Sequence, residues 1–273
     1  MKIDLFGGTG FVGGNYKRMF PELTNVHGRE DDIPVFKDVL YMISTTSNYN
    51  VFGDVHIDVS TNLTKMLKVL SNCKDRDIVF NFVSSWFVYG GVDLPAREDS
   101  YCNPRGFYSI TKKCAEDLLV SYCQTFGIKY RILRLCNVYG RGDKDVSSKK
   151  NALQYLINKI KVGEPIGLYH GGDFVRDYMH VSDVCRAISL CVSSSAVGEI
   201  INIASGIPQN FREIIDFAMT ETGSKSEVAS VDASDFHKTV QVRDMYLDCS
   251  KLRSLGFIPQ VSIEQGIRDL LVQ

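Results

Sequence analysis

A tyrosine and a lysine four residues apart, in the run Tyr108-Ser109-Ile110-Thr111-Lys112, are the residues best suited to proton chemistry. At i and i+4 they share one face of a helix. The ammonium is then expected to lower the phenol's pKa. An unperturbed phenol titrates near ~10, so work near pH ~7 takes roughly 4 kcal/mol of preferential phenolate stabilisation. One ammonium at about 4 Å in an effective dielectric of ~20 supplies on the order of 4 kcal/mol. The pair suffices in principle for a general acid/base at neutral pH. Such pairs also arise by chance on helix surfaces, so the surroundings must decide. Ser85, 23 residues before Tyr108, ends an apolar run and is the first candidate companion.

The chain opens with a second constellation. Ile3 to Phe6 reads as a buried strand. The turn Gly7-Gly8-Thr9-Gly10-Phe11-Val12-Gly13 follows, then a helix from Phe11 to Phe20 stopped by Pro21. Gly8-x-Gly10-x-x-Gly13 fits the dinucleotide fingerprint, and Gly7-x-x-Gly10-x-x-Gly13 its wider-spaced variant. Glycines permit the tight turn and let the backbone approach a pyrophosphate at the helix N-terminus. The alternative is a purely structural turn. Gly7, Gly10, Phe11, Val12 and Gly13 are therefore the expected cofactor contacts, for NADP or NAD. An acid after strand two (Leu23 to Gly28) would bind a ribose 2′-OH, and an arginine a 2′-phosphate. Arg29 comes first, before Glu30, Asp31 and Asp32, which favours NADP unless Arg29 is a solvated turn residue.

The elements that must position these residues alternate. Only ten residues, Arg29 to Asp38 with Pro34 among them, separate strand two from the next strand, Val39 to Ser44. That is too short for a helix, a strand and a second crossover. The expected fold is α/β: a Rossmann-type doubly wound parallel sheet lacking one βα unit after strand two. Thr61 to Leu70 reads as an amphipathic helix, Asp77 to Val83 as a strand, Phe107 to Phe126 as a helix and Lys129 to Leu135 as a strand. Ligands bind such sheets at the carboxyl ends of strands. Ser44, Thr45 and Leu135 are placed there beside the cofactor, with Ser85 and Asn137 nearby.

At 273 residues, the chain has ample length for a core. A net charge of -1 gives no field to attract nucleic acid. No apolar run reaches the length of a membrane span. The eight cysteines are scattered without a C-x-x-C pair, so reduced thiols and a cytoplasmic location are expected. The five histidines show no metal-ligand spacing, so no metal site is expected.

The order of GGTGFVG (7–13), SSWFVYG (84–90), YSITK (108–112), LRLCNVYG (133–140), VRDYMHVSDV (175–184) and LGFIPQVSIEQGI (255–267) resembles a known family. It is that of the extended short-chain dehydrogenase/reductases of the NAD-dependent epimerase/dehydratase group, which act on nucleotide sugars. The resemblance implies that Ser85, rather than Ser84, bonds the reacting sugar oxygen. It implies that Tyr108 exchanges the proton and that Lys112 tunes Tyr108 and holds the nicotinamide ribose. Trp86 would line the substrate, and Asn137 and Arg176 would contact the nucleotide diphosphate. Arg243, before an expected strand Met245 to Leu247, is a second candidate clamp, since guanidinium binds phosphate bidentately. The alternative for Arg176 and Arg243 is ion pairing with Asp177 and Asp244.

Two departures from the family pattern carry weight. Dehydratases of the family place an Asp-Glu pair after the serine/threonine, whereas Trp86 and Phe87 stand here and cannot move protons. The shortened segment after strand two removes the usual ribose-binding acid. The expected activity is a 4-keto reductase of a nucleotide-activated hexose. A C4 epimerase with retained NAD is the alternative, and a non-catalytic dinucleotide-binding protein a remote one.

Residues 1–142 are expected to bind the dinucleotide and 143–273 mainly the substrate, the two parts interleaved. Asp143 to Lys150 reads as a mobile loop. Helices are expected at Asn151 to Lys161, Val181 to Val192 and Asn210 to Thr220, the last capped by Asn210. Strands are expected at Ile166 to Tyr169 and Ile200 to Ile203. The helices at 61–70 and 107–126 are the expected homodimer faces.

Overall fold

The computed structural model describes residues 2–144 and 146–272. Its centre is a six-stranded sheet of β1 (Ile3–Phe6), β2 (Thr24–His27), β3 (Asp38–Tyr41), β4 (Val79–Ser85), β5 (Lys129–Leu135) and, far along the chain, β10 (Glu199–Ile203). All pairings are parallel, in the order β10-β5-β4-β3-β1-β2. The expected missing unit is absent: β2 is the edge strand, and the segment 28–37 crosses to β3 without a helix. Asp4 holds that crossover down. Its Oδ2 accepts the Val35 and Phe36 amides at 2.6 and 2.5 Å, and its Oδ1 meets Asn25 Nδ2 at 2.7 Å and His27 Nε2 at 2.8 Å.

Alternation along the strands feeds two cores. Ile3, Leu5 and Leu133 pack with α1 (Phe11–Met19) and α6 (Val181–Ser193). Phe6, Val39, Tyr41 and Phe82 pack with α3 (Lys65–Ser71) and α4 (Phe107–Phe126) on the other face. The helix expected over 61–70 is longer and interrupted: α2 (Ile57–Val59), a π-helical turn Ser60–Thr64, then α3. Asn62, inside the wide turn, is buried and bonded to both Thr45 and Thr111, so tertiary bonds hold the bulge open.

The second half builds a third core from α5 (Ala152–Lys161), α7 (Phe211–Thr222) and α10 (Ile263–Leu271), around Leu153, Ile157, Ile215 and Ile267. Short pairs complete it: β6 (Asn137–Tyr139) with β9 (Tyr178–His180), β7 (Ile166–Tyr169) with β12 (Val228–Val231), and β8 (Val175–Arg176) with β11 (Gln209–Asn210). Short helices α8 (Asp235–Val240) and α9 (Ser250–Ser254) lie between. Asn210 caps α7 as expected, accepting the Arg212 amide at 2.9 Å. Met245 to Leu247 is not a strand. It makes single bridges, Met245 to Arg176 and Leu247 to Ala96, because its amides serve different neighbours. Strand three ends at Tyr41 rather than Ser44. Of the expected mobile loop, Asp145 lies outside the described residues. Ser147 and Lys150 exchange two backbone hydrogen bonds, so that part is a closed turn. β10 and α6 return to the first half, so the chain crosses between its two parts more than once.

Asp4 serves four donors from a fully buried position, and Asp4→Ala leaves them without an acceptor. Denaturant melts are expected to show a loss of roughly 3 kcal/mol, the usual range for stranded buried polar groups. A loss below about 0.5 kcal/mol, the size of an ordinary surface substitution, would mean that Asp4 does not secure the crossover.

Candidate active site

β4 carries Ser85 to the carboxyl edge of the sheet, where the chain turns into a single 3₁₀ turn, Trp86–Val88. Ser85 caps that turn, accepting the Phe87 amide at 3.3 Å, and its hydroxyl acts to lower the pKa of Tyr108. Ser84 faces the opposite way, buried with an unpartnered hydroxyl, so Ser85 is the serine that meets the phenol. α4 begins after Gly106, whose φ of +85° and contact with Asn48 leave no room for a side chain. Tyr108 and Lys112 then project from its first two turns, and both are buried.

The electrostatics differ from the expected phenol-lowering pair. Burial raises Tyr108 to about 12, the Ser85 hydrogen bond lowers it, and the charge of Asp58 raises it further. Burial lowers Lys112 from 10.5 to about 7 against the raising effect of Glu116. Its ammonium donates to the Val83 carbonyl at 2.7 Å and sits 4.0 Å above the Phe82 ring. Shared helical face is therefore not sufficient: Lys112 is spent on the strand and the aromatic ring, and desolvation outweighs attraction.

Phe87 packs edge-on against Tyr108 at 5.7 Å and stacks on Trp86 at 3.9 Å. Trp86 in turn lies under the Arg176 guanidinium at 5.7 Å. Arg176 does not pair with Asp177. It donates to the carbonyls of Val175, Val242 and Arg243. Asp177 is buried instead, accepting Ser205 N and Oγ, Gly206 N and Leu247 N. Asn137 donates both its amide groups to the Asp177 carbonyl, at 3.1 and 3.0 Å. Arg243 is exposed and pairs with Asp173 at 2.6 Å, not with Asp244, which caps the Val175 amide.

The glycine turn fits a dinucleotide. Gly7 has φ +96°, and a Cβ on Gly13 would stand 2.2 Å from the Gly7 carbonyl oxygen. Gly10 caps α1 with no side-chain bond, and no acid sits in the first helical turn. A Cβ on Gly10 would meet protein only at 3.5 Å, so a glycine there clears the approach to the helix N-terminus rather than relieving an internal clash. Gly7, Gly10, Phe11, Val12 and Gly13 would hold the phosphates. Ser44 and Thr45 lie in the segment that follows β3, tied to Asn62, and Leu135 closes β5 between Ser85 and Ile203. Arg29 is exposed in the crossover, and Asp31 beside it accepts the Gly28 amide at 2.6 Å.

A family model, NAD dependent epimerase/dehydratase family, matches residues 38–204, and the chain belongs to that family. It is 28% identical to a putative UDP-glucose 4-epimerase of Methanocaldococcus jannaschii, over 94% of this chain and 86% of that protein. It is 27% identical to the GDP-6-deoxy-D-mannose reductase of Pseudomonas aeruginosa, over 85% and 78%. Relatives also include a dTDP-glucose 4,6-dehydratase of Haemophilus influenzae, at 28% over 87% and 78%. The fold matches the UDP-glucose 4-epimerase of Thermotoga maritima with a TM-score of 0.88 at 24% identity, covering 100% of this chain and 98% of that one. Solved structures of like fold carry NAD or NADPH. The chain is thus a member of an NAD-dependent epimerase/dehydratase family with a Rossmann-type fold. No helix among the described residues is long and apolar enough to cross a membrane, and no His/Cys/Asp/Glu group there could hold a metal.

Sequence reasoning missed that Asp58 is buried, and it gave Asp177 only as the alternative, ion-pairing partner of Arg176, without seeing that Asp177 is buried on backbone donors. Asp58 stands between Ile57 and Val59, an acid inside an apolar run, and that placement was the available signal. For Asp177 the signal was a charge flanked by the aromatic and apolar residues of Arg176-Asp177-Tyr178-Met179.

Lys112 fixes a pH signature. Its pKa is lower folded than unfolded, so between about 7 and 10.5 the unfolded chain binds the extra proton and stability rises with pH. The stability difference between the ligand-free wild type and Lys112→Met should move in favour of the wild type across that window, by up to about 1.4 kcal/mol per pH unit. Parallel pH dependences in urea melts would show that Lys112 is charged in the folded state.

Proposed function

We propose that this protein is an NADPH-dependent 4-keto reductase of a nucleotide-activated hexose, working in deoxysugar synthesis. The observation that carries this is the meeting of Ser85, Tyr108 and Lys112 at one strand edge, beside a wall of Trp86 and Phe87 that offers no proton-transfer group. A bound nicotinamide supplies or accepts a hydride. Ser85 bonds the sugar oxygen, Tyr108 delivers its proton to that oxygen, and Lys112 holds the nicotinamide ribose. Asn137, Arg176 and Arg243 face the nucleotide diphosphate, with Trp86 orienting Arg176. Water elimination would need an acid and a base where Trp86 and Phe87 stand. Arg29 suits the 2′-phosphate of NADP. The second reading, a C4 epimerase with retained NAD, uses the same three residues. The epimerase among the relatives supports it.

The cysteines are all free, which suits a cytoplasmic, reducing location. Phe107, Ile110, Leu118 and Phe126 are exposed apolar residues of α4 that support a homodimer through the helix at 107–126, whereas no large apolar side chain of 61–70 is exposed.

Incubation with NADPH and a panel of 4-keto-6-deoxyhexose nucleotides should consume NADPH stoichiometrically with one of them. Tightly copurifying NAD, with turnover needing no added cofactor, would sink the reductase reading in favour of the epimerase. Tyr108→Phe should cut turnover by roughly 10²-fold or more while dinucleotide binding, read by thermal shift, is kept. An unchanged rate removes Tyr108 from the mechanism. Arg29→Ala should weaken NADPH binding by on the order of tenfold and leave NADH binding alone, a loss of about 1.4 kcal/mol. Equal effects on both cofactors would contradict the 2′-phosphate role.

A further inference from the structure

Tyr108 is only 6% exposed, yet its phenol must touch a sugar in the proposed reaction. A closed ring of contacts shuts it in. Its side chain packs on Phe87, Phe87 stacks on Trp86, and Trp86 lies under Arg176. Arg176 donates to the Val242 carbonyl at 2.8 Å and to that of Arg243, just past the end of α8. From α8, Phe236 meets Tyr49 at 4.9 Å and Phe52 at 4.7 Å, both edge-on, and His237 Nδ1 lies 3.3 Å from the Tyr49 hydroxyl. Tyr49 and Phe52 belong to the 3₁₀ turn Asn48–Phe52. Asn48 leads back to the phenol, since its Oδ1 accepts the Ser109 amide at 3.3 Å. Val240, at the end of α8, closes the same corner: a Cβ on Gly106 would stand 2.5 Å from Asn48 Oδ1 and 3.0 Å from Val240 Cγ1.

One link in this ring is weaker than the rest. Asn48 is buried and Asn50 donates to Asp58 at 3.0 Å, so the 3₁₀ turn is a fixed post. Trp86 is buried and continues β4. In α8 only Val240 is buried. The helix is strapped at its two ends instead, by the pairing of β12 with β7 before it and by the carbonyls that Arg176 holds after it. Between the straps it grips the post through Phe236 and His237, at the surface, where Phe52 is 69% exposed. Segments with few buried apolar contacts open at the least cost in free energy.

We propose that α8 is a lid, latched on the 3₁₀ turn by Phe236, which swings away from Tyr49 and Phe52 to admit the nucleotide sugar to Tyr108. This rests on the reading that Tyr108 reacts with a nucleotide sugar. Two edge-on aromatic pairs are weak enough to break thermally and specific enough to re-form in one place. Closure of such an element over bound substrate sequesters the reaction from water. Entry is then limited by the fraction of molecules in which the lid is open.

Trp86 is the only tryptophan of the chain, 4% exposed and part of the ring, so its fluorescence reads opening without any ligand. Acrylamide quenching should rise severalfold in Phe236→Ala, rise less in Phe52→Ala, and stay at the wild-type value in Phe236→Tyr, which keeps the aromatic edge. Unchanged quenching in Phe236→Ala overturns the lid, and so does an equal rise in Phe236→Tyr. Phe52→Ala removes only a surface ring; should Phe236→Ala not fold, unchanged quenching in Phe52→Ala overturns the lid instead. With UDP as the probe, stopped-flow Trp86 fluorescence should show association on the order of tenfold faster in Phe236→Ala, the weight of two edge-on pairs. Raised quenching with an unchanged association rate means that α8 moves without gating the site, and overturns the proposal. Failure of the nucleotide-sugar reading appears separately, as no change in Trp86 fluorescence or melting temperature with UDP, GDP, CDP or dTDP. That outcome removes the guest and leaves the lid decided by the quenching.

Discussion

The buried Asp177 carboxylate is the interaction on which the two halves of this protein depend. It has neutral donors around it: the Ser205 amide and hydroxyl, the Gly206 amide and the Leu247 amide. Burial raises its pKa, and these hydrogen bonds pull it back. The backbone of the same residue accepts both amide groups of Asn137 and donates to Met245. One position therefore ties the exit of β10, the segment 245–247 and the start of β6 together. Arg176, its neighbour in sequence, is thereby placed over Trp86.

That clamp has a consequence for the chemistry. Arg176 and Asp177 look like an ion pair in sequence, yet each is satisfied by other groups. The guanidinium is held by carbonyls, which leaves its positive charge uncompensated by Asp177. The same logic governs the phenol. Tyr108 and Lys112 share a helical face, but burial acts on both in the direction of neutrality. Burial therefore raises the phenol's pKa and lowers that of the lysine four residues on.

Much of the scaffold was legible. Phe107–Phe126 and Lys129–Leu135 fall where the periodicity and apolar runs place them, because long, strongly patterned segments are decided locally. The glycine turn was legible because its φ of +96° and its lack of side-chain room are properties only glycine satisfies. The crossover without a helix followed from chain length alone. Met245–Leu247 was misread, since an apolar triplet carries the same pattern whether it forms a ladder or single bridges. The π-helical turn at Ser60–Thr64 has no local signature, because Asn62 is held there by Thr45 and Thr111, 17 and 49 residues away.

The sequence by itself determined the parallel sheet and the tight glycine turn, since these depend on spacing or on the steric limits of glycine, and its family resemblance pointed to Ser85, Tyr108 and Lys112. Tertiary structure alone decided which charges act on the phenol. Coulomb and desolvation effects depend on distance and burial: burial is the main cause of the phenol's raised pKa, and Lys112, on the same helical face, is turned to the Val83 carbonyl instead.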